Sequence, residues 1–464
     1  MSELALRKYL ERYAEPEAAF ARELGHQYGH VVAIPLHSED AGFLEQVGPA
    51  VAAASGRVLV IAVVNATDDA PASVHEKNER LLAELKQRLL PRQELAALPN
   101  GSARAFLGRA GAFDVLVVDR AAPGRRFPNT EGVGLARRIG NDIALALHQL
   151  GGVTSPWLAS TDADARPPAE YFTTLAGIEP RAPDGTRRVA LTMPFWHTPS
   201  GDQAVDEATA IYELSLRYYT LGLAAAGSPY AYESLGSSIV VLAPAYAEVR
   251  GFPRRQAGED FYFLDKLAKV GSLHRPRLAP IELRSRPSDR VPFGTGARVR
   301  DIVAAGGGLT TYHPRVFELL RVTLRALRHA VVTRNDAALV AELGASLGGD
   351  KGTLGAISSA LDELGAFEAL RDMLDASPDA RVRERRLLTW FDALRTLRLI
   401  HLIEVPAALP RLPVLEALSA APFCSFWDRD LPEIEGRLRA FSAEQALPSD
   451  IGVESLISAA VNGS

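Results

Sequence analysis

Hydrophobic and polar positions alternate in blocks from residue 31 to about residue 299. Short apolar runs rich in Val, Ile and Leu are followed by stretches in which apolar residues recur at helical spacing. This alternation is typical of an α/β domain with a largely parallel sheet flanked by helices. The apolar runs predict strands at 31–36, 58–65, 113–119, 157–162, 188–193, 238–242 and 278–283. The helical periodicity predicts helices at 73–90, 133–150, 206–226 and 259–270.

The two ends of the chain follow a different pattern. Residues 3–24 carry apolar side chains at helical spacing among charges, which predicts one or two amphipathic helices. After the glycine-rich stretch 304–309 the strand pattern stops, and apolar stripes predict long helices through 316–327 and 387–397. We therefore expect an N-terminal helical segment (1–29), an α/β domain (30–305) and an all-helical C-terminal domain (306–464). The helical domain is expected to serve packing or self-association, giving a homo-oligomer, and to carry no catalytic residue.

Charge and composition exclude several classes of function. Lys and Arg number 51 against 56 Asp and Glu, so the net charge of −5 provides no basic field for nucleic acid or an anionic membrane. Cys424 is the only cysteine, which rules out an intramolecular disulfide and argues against a Cys-based zinc site. No apolar run reaches the ~18–20 residues needed to span a bilayer. The N-terminus also lacks the apolar core of a signal peptide. We expect a cytoplasmic protein without a membrane span or a nucleic-acid partner.

Two acidic residues end the apolar run 157–162. Asp162 and Asp164 are two positions apart, so in an extended chain their side chains point to the same side. The carboxyl end of a strand is where open α/β sheets bind ligands. Two hard carboxylates at this position suit Mg²⁺ or Mn²⁺, which can in turn bridge a diphosphate. A surface turn is the alternative interpretation.

A second acidic pair opens a helical pattern. Gly258 precedes Glu259 and Asp260, and apolar spacing then continues to Gly271. The helix dipole favours ionised carboxylates in the first turn, so either acid could accept a proton. Simple helix capping explains the same pair, and these residues alone do not separate the two interpretations.

A glycine-rich stretch leads into the helix before the Asp-x-Asp strand. It contains Gly132, Gly134 and Gly140, and its Arg137 could reach a phosphate or a sugar hydroxyl. The spacing differs from that of a phosphate-binding P-loop, so the stretch by itself is a weak indication.

Taken in order, these motifs resemble family 2 glycosyltransferases of the GT-A fold. The resemblance covers about residues 30–300. It includes the opening strand VVAIPLHSED and the second strand VLVIAVVNATDDA, followed by the Gly/Ala-Arg helix, the Asp-x-Asp strand and the Glu-Asp helix. It implies a Rossmann-like, mostly parallel sheet and an inverting hexosyltransferase-type enzyme. The implied donor is a nucleotide-diphosphate sugar, the acceptor a soluble hydroxyl compound and the cofactor Mg²⁺ or Mn²⁺.

The resemblance also implies roles for individual residues. Asp164 and Asp162 would hold the metal, and Asp260, with Glu259 beside it, would activate the acceptor hydroxyl. The residues implied in donor binding are Pro35, His37, Glu39, Asn65, Arg137 and Asp162. Asn65 stands where the family often has an acid, and the family's late metal-binding histidine has no counterpart after the last strand.

One arginine-rich stretch follows the last predicted strand of the α/β domain. Between residues 282 and 300 it contains Arg284, Arg286, Arg290, Arg298 and Arg300. Guanidinium groups suit bidentate contacts with phosphate, so we expect this stretch to cover the donor diphosphate, with Arg290 in contact. A solvated basic connector is the alternative.

Two other functions remain open at this point. A sugar-phosphate nucleotidyltransferase would share the nucleotide-binding topology, but such enzymes carry a Gly-rich basic loop after the first strand, which PLHSEDAGF lacks. A non-catalytic nucleotide-sugar-binding or scaffold protein would have no need of the four acids in the two motifs.

Overall fold

The chain folds into two compact units. The computed structural model describes residues 2–98, 101–286 and 294–423. One unit comprises Met1–Ser200 with Ser234–Ala297, and the other comprises Gly201–Glu233 with Arg298–Ser464. The segment 201–233 therefore groups with the C-terminal helices, although the sequence pattern places it inside the 30–305 domain. The predicted N-terminal segment 1–29 belongs to the first unit.

The strands expected from the apolar runs are present, together with further, mostly short strands that the sequence pattern does not predict. The strands are β1 (His30–Leu36), β2 (Val58–Asn65), β3 (Arg92–Glu94), β4 (Arg104–Ala110), β5 (Phe113–Arg120), β6 (Trp157–Ser160), β7 (Ala165–Arg166), β8 (Arg188–Thr192), β9 (Phe195–Thr198), β10 (Ile239–Leu242), β11 (Ser272–His274), β12 (Ile281–Arg284), β13 (Thr310–Thr311) and β14 (Leu412–Pro413).

The helices of the first unit alternate with its strands. They are α1 (Ser2–Arg12), α2 (Phe43–Ala52), α3 (Ala72–Arg88), α4 (Val133–Gln149), α5 (Tyr171–Ala176), α7 (Ala243–Glu248), α8 (Glu259–Ala268) and the start of α9 (Thr295–Ala304), most of which falls in the second unit. The second unit also contains α6 (Gln203–Ala225), α10 (Arg315–Thr333), α11 (Ala337–Ser346), α12 (Lys351–Glu363), α13 (Ala366–Ala376), α14 (Ala380–Trp390), α15 (Ala393–Glu404) and α16 (Val414–Ala420).

A large central sheet organises the first unit. Among the described residues it has nine strands in the order β11-β8-β10-β6-β1-β2-β5-β4-β3. Only β10 and β4 of these strands run against the others, so the sheet is mostly parallel and the predicted α/β class is confirmed. Strands β1 and β2 are buried along their whole length, as expected for parallel strands covered on both faces.

A small second sheet lies in the same unit. Its order is β7-β12-β9, with β12 antiparallel to β7 and parallel to β9. Strand β7 begins one residue after Asp164, and the pairing sets Glu282 of β12 opposite Arg166 of β7. This sheet therefore brings the start of the arginine-rich stretch close to the Asp-x-Asp motif.

The N-terminal segment is tied to the first unit through a buried carboxylate. Helix α1 is followed by a 3₁₀ helix, Pro16–Glu23, which agrees with the predicted pair of helical elements. The Asp142 carboxylate of α4 accepts hydrogen bonds from the Tyr9 hydroxyl at 2.7 Å, the Tyr246 hydroxyl at 2.7 Å and the Glu15 backbone N–H at 2.8 Å. Both N-terminal elements thus dock on α4.

The second unit is helical apart from the short β13–β14 pair among its described residues. Its core joins apolar side chains of α6, α10, α12 and the later helices. The expected single helix through 387–397 is wrong, because the chain forms α14 and α15 with a break at Phe391 and Asp392. The Asp392 side chain accepts the Arg395 backbone N–H and so caps α15.

Candidate active site

The candidate site lies at the centre of the sheet, where later strands are added on the opposite side of β1 from β2. Strand β1 pairs with β2 on one side and with β6 on the other. In open α/β sheets, ligands bind in the crevice at the carboxyl ends of the strands beside such a reversal. His37 and Glu39 follow β1, while Asp162 and Asp164 follow β6. The topology therefore brings these predicted residues to one edge of the sheet.

A buried arginine is the centre of the hydrogen-bond network at this edge. The Arg137 side chain is 3% exposed, and its Nε donates to Glu259 Oε1 at 3.0 Å. Its Nη1 donates to Ser160 Oγ at 3.0 Å and its Nη2 to Asp162 Oδ1 at 2.6 Å. Burial alone would lower the pKa of this guanidinium, but the two carboxylates raise it, so Arg137 stays charged. A Cβ at position 236 would lie 2.4 Å from Nη2, which explains why glycine stands there.

The glycines around Arg137 allow α4 to pack closely. A Cβ at Gly140 would lie 2.7 Å from the Cβ of Ala33 in β1, and one at Gly134 would lie 2.4 Å from the Pro253 carbonyl oxygen. These glycines thus let α4 lie close to neighbouring backbone and side chains of the protein itself. This packing fixes the position from which Arg137 reaches the two acidic motifs.

The two acids at the start of α8 have different surroundings. Gly258 precedes them with φ +71°, and Glu259 is buried against Arg137 whereas Asp260 is half-buried. Burial, reinforced by the charge of Asp260 and opposed by Arg137, raises the pKa of Glu259 to about 7. Burial also raises the pKa of Asp260, although its Oδ1 accepts the Phe261 backbone N–H at 2.7 Å. Asp260 is the more accessible carboxylate of the pair.

A second arginine joins the two strand ends. Arg286 Nη2 lies 2.6 Å from Asp164 Oδ2 and 3.2 Å from Glu39 Oε1. All three residues line a cavity of about 350 Å³. The cavity walls also include Arg166, Glu282 and Arg284 of the small sheet. Of the residues predicted to bind the donor or the metal, Glu39 and Asp164 line this cavity.

Asn65 has a structural role at the end of β2. Its Nδ2 donates to the carbonyl oxygens of Leu36 and Val63, both at 3.1 Å. The Asn65 carbonyl oxygen lies 3.2 Å from His37 Nδ1. Both amide hydrogens of Asn65 are therefore directed at backbone, and the side chain connects the ends of β1 and β2.

Sequence reasoning missed Asn78 of α3. Its Nδ2 donates to the Asn65 carbonyl oxygen at 2.9 Å and its Oδ1 accepts the Ser38 backbone N–H at 3.1 Å. Ser38 has a φ of +56°, a conformation uncommon for a residue with a side chain. Asn78 therefore holds the turn after β1. The only indication in the sequence was Asn78 itself, an amide residue at a position of α3 where the periodic pattern calls for an apolar side chain.

The remaining predicted residues are placed as follows. Pro35 is buried within β1, opposite Val63 of β2, rather than in the wall of the cavity. His37 is half-buried just beyond the strand. Arg290 and Cys424 lie outside the described residues.

A divalent cation such as Mg²⁺ needs several oxygen ligands. Within 2–98, 101–286 and 294–423 there is no group of three or more His, Cys, Asp and Glu side chains that could hold a metal ion. Asp164 and Glu39 nevertheless converge on one guanidinium beside the cavity. Mg²⁺ is often held by one or two protein carboxylates, with phosphate oxygens and waters completing the shell. The residues present fit a cation that is shared with a bound phosphate ligand.

Comparison with known proteins gave no assignment, since neither a protein-family model nor a curated protein matches the chain. In the part of the chain that the structure describes, no helix is both long and apolar enough to cross a membrane.

Proposed function

We propose that the chain is a glycosyltransferase that moves a sugar from a nucleotide-diphosphate donor to a hydroxyl group of an acceptor. The observation that carries this proposal is the arrangement at the reversal between β1 and β6. There Asp162, two residues after β6, is joined through Arg137 to Glu259 at the start of α8. This network supports the proposal because it connects a carboxylate assigned to the cation with the acidic pair from which the proton acceptor is assigned.

Asp260 is assigned to the proton transfer. In a direct displacement the acceptor oxygen attacks the anomeric carbon, the bond from that carbon to the diphosphate breaks, and the hydroxyl proton passes to a carboxylate. Asp260 is half-buried, and its raised pKa brings it closer to the pH at which a general base works well. Glu259 is held by Arg137 and acts as a positioning residue. Such a displacement inverts the configuration at the anomeric carbon.

The leaving diphosphate requires positive charge. Asp162 and Asp164 would hold Mg²⁺ or Mn²⁺, which supplies positive charge to the diphosphate oxygens when it is bound. Arg284 and Arg286 line the neighbouring cavity and can contact phosphate directly.

A donor screen tests the proposal. The protein is incubated with UDP-, GDP- and other nucleotide sugars, with and without Mn²⁺, and the release of nucleoside diphosphate is measured. We expect cation-dependent release from at least one donor. Pyrophosphate formation from a nucleoside triphosphate and a sugar 1-phosphate would instead indicate a nucleotidyltransferase. Failure of every nucleotide to stabilise the protein would favour a scaffold.

Asp164→Asn and Glu282→Gln form a matched pair for the same assay, because both acids line the cavity. Asp164→Asn is expected to abolish the Mn²⁺-dependent part of nucleoside diphosphate binding, measured by thermal shift. Glu282→Gln should change that binding by no more than about twofold, as is usual for a partly exposed charge. Equal losses in the two variants would contradict the role given to Asp164.

A further inference from the structure

The cavity beside Asp164 carries acids as well as bases. Among the described residues, its charged lining consists of four acids, Glu39, Asp40, Asp164 and Glu282, and three bases, Arg166, Arg284 and Arg286. A diphosphate entering this cavity would meet one more negative than positive charge among these residues. Favourable binding therefore requires either an added cation or the release of an arginine from its acidic partners.

Arg286 is relevant to both conditions. It is an arginine that could be released from acidic partners, and those partners are carboxylates that could bind an added cation. Its guanidinium lies between Asp164 and Glu39, at 2.6 and 3.2 Å, and the three side chains are 32%, 23% and 15% exposed. Burial lowers the pKa of Arg286, but the charges of Asp164 and Glu39 outweigh that effect and raise it. The guanidinium thus offsets part of the negative charge of two hard carboxylates, which are ligands that a divalent cation also prefers.

The pairing of strands explains why this contact forms. Arg286 follows β12, and β12 pairs with β7, which starts one residue after Asp164. Arg284 stands two residues earlier at the end of β12 and lines the same cavity, but no acidic partner is found for it among the described residues. The two arginines therefore differ in this ion pair, and also in burial, since Arg284 is exposed and Arg286 half-buried.

We propose that Arg286 is an exchangeable counter-ion, so that Asp164 and Glu39 hold either its guanidinium or, together with Asp162, a divalent cation. Cation binding releases Arg286 into the cavity, where the guanidinium can contact a phosphate group. The exchange makes cation binding and phosphate binding mutually favourable, because each favours the state with Arg286 released. The proposed function enters only in naming the phosphate as that of a nucleotide-sugar donor.

The decisive experiment measures Mn²⁺ binding without any nucleotide. Mn²⁺ is titrated into the full chain, and free Mn²⁺ is followed by electron paramagnetic resonance for the wild type, Arg286→Gln and Arg284→Gln. Removing the competing cation should lower the Mn²⁺ Kd of Arg286→Gln by about tenfold, an effect between those of exposed and buried ion pairs. Arg284→Gln should leave the Kd within about twofold of the wild type.

Three results would overturn the proposal. The first is an unchanged or weaker Mn²⁺ affinity in Arg286→Gln, which would make Arg286 irrelevant to the cation or a support for its site. The second is an equal gain in Arg284→Gln, which would show a general charge effect. The third is the absence of Mn²⁺ binding in the wild type and both variants. If Arg286→Gln does not fold, as judged by circular dichroism, Arg286→Ala replaces it and should also bind Mn²⁺ more tightly than the wild type, because it removes the same competing charge.

A second measurement tests the coupling to phosphate. Inorganic pyrophosphate is titrated calorimetrically with and without Mn²⁺. In the wild type, Mn²⁺ should strengthen pyrophosphate binding, and Arg286→Gln should reduce that enhancement. An enhancement as large in Arg286→Gln as in the wild type would contradict the contact between released Arg286 and phosphate. Neither titration involves sugar transfer, so their failure is distinguishable from failure of the donor screen.

Discussion

At the scale of single residues, the site depends on how each charge is compensated. Arg137 is buried with two carboxylates of the acidic motifs, so it organises the site from within the protein. This arrangement separates the adjacent acids Glu259 and Asp260 into a fixed member and an accessible member. The difference leads to distinct expectations for replacing each of them.

The pH dependence of transfer tests these two roles. Asp260 must be ionised to accept a proton, so activity should rise with pH as this carboxyl loses its proton. Because the pKa of Asp260 is raised, the midpoint of this rising limb of the pH profile should lie above the ordinary pKa of Asp. The charge of Asp260 contributes to the raised pKa of Glu259. Glu259→Gln leaves the assigned base in place, so the rise of kcat/KM with pH should persist in this variant.

Asp260→Asn should reduce transfer by about 10²-fold or more and remove the limb. Donor binding, followed by thermal shift, should change little. If Asp260→Asn is nearly silent and Glu259→Gln removes the limb, the two roles are exchanged.

Asp142 gives a second prediction at this scale. Its carboxyl is fully buried, and burial, only partly opposed by Arg138 and the hydrogen bonds from Glu15 and two tyrosines, raises its pKa from 3.8 to about 7. An acid with a raised folded-state pKa binds its proton more tightly when folded, so its contribution to stability falls as pH rises from about 4 to about 7. Across that pH range, the free energy of unfolding of the wild type should fall relative to that of Asp142→Asn, by about 4 kcal/mol at most.

Urea unfolding at several pH values measures the difference in free energy of unfolding between the two proteins. Above about pH 7 this difference should no longer change with pH. Hydrogen bonds lost in Asp142→Asn shift the whole curve without changing its slope, and the titration of Glu259 is common to both proteins. Asp372→Asn, at an exposed position of α13, is the control for removing a carboxylate from the protein surface. A difference for Asp142→Asn that does not vary with pH would contradict the raised pKa.

At the scale of elements, the packing of α4 on β1 places Arg137. Gly140 allows this packing, since a Cβ there would lie 2.7 Å from the Cβ of Ala33. Gly140→Ala should destabilise the protein by roughly 1–3 kcal/mol, as overpacking of a close contact usually does. The gain in helix propensity would offset part of that loss.

Gly355→Ala is the matched control, because Gly355 is exposed on α12 and a Cβ there would meet nothing within 4 Å. It should stabilise its helix by about 0.5–1 kcal/mol. Chemical denaturation of both variants measures the two effects. A stabilised Gly140→Ala protein would show that α4 has room to move away from β1.

The elements found from the sequence were those with a strong, continuous pattern. The run 58–65 has apolar residues at all but its last position and forms β2, buried on both faces. Strands β3 and β11 were missed because they are short and not fully buried, and β4 was missed because arginine and glycine interrupt its apolar positions. The break between α14 and α15 depends on a cap by Asp392, which helical periodicity does not record.

From the sequence, several residues of the candidate site could be predicted, but the contacts between them could not. Strand ends and spacing brought out Asp162, Asp164 and Glu259. The ion pair between Arg286 and Glu39 joins residues 247 positions apart, and it depends on the pairing of β12 with β7. The sequence contains no local signal for such a contact, so Arg286 could not be distinguished from its neighbouring arginines.

At the scale of the whole molecule, the chain passes between its two units more than once. The second unit includes 201–233 as well as the C-terminal helices, so a cut in the sequence near residue 305 divides it. Helix α6 buries Leu214, Tyr218 and Leu223 in the core of that unit. The Tyr218 hydroxyl also donates to the Tyr312 carbonyl oxygen at 2.8 Å.

This organisation predicts how two truncated proteins should behave. A fragment 1–305 keeps α6 but loses its helical partners, which exposes apolar side chains whose burial contributes about 1.5–3 kcal/mol each. It should therefore aggregate or bind a hydrophobic dye. A protein in which 1–200 is joined to 234–297 by a flexible Gly/Ser linker removes α6 together with its partners. This second protein should be monomeric in size-exclusion chromatography and unfold cooperatively in urea. A well-behaved 1–305 fragment, together with an aggregating linked protein, would show that α6 belongs with the α/β unit instead.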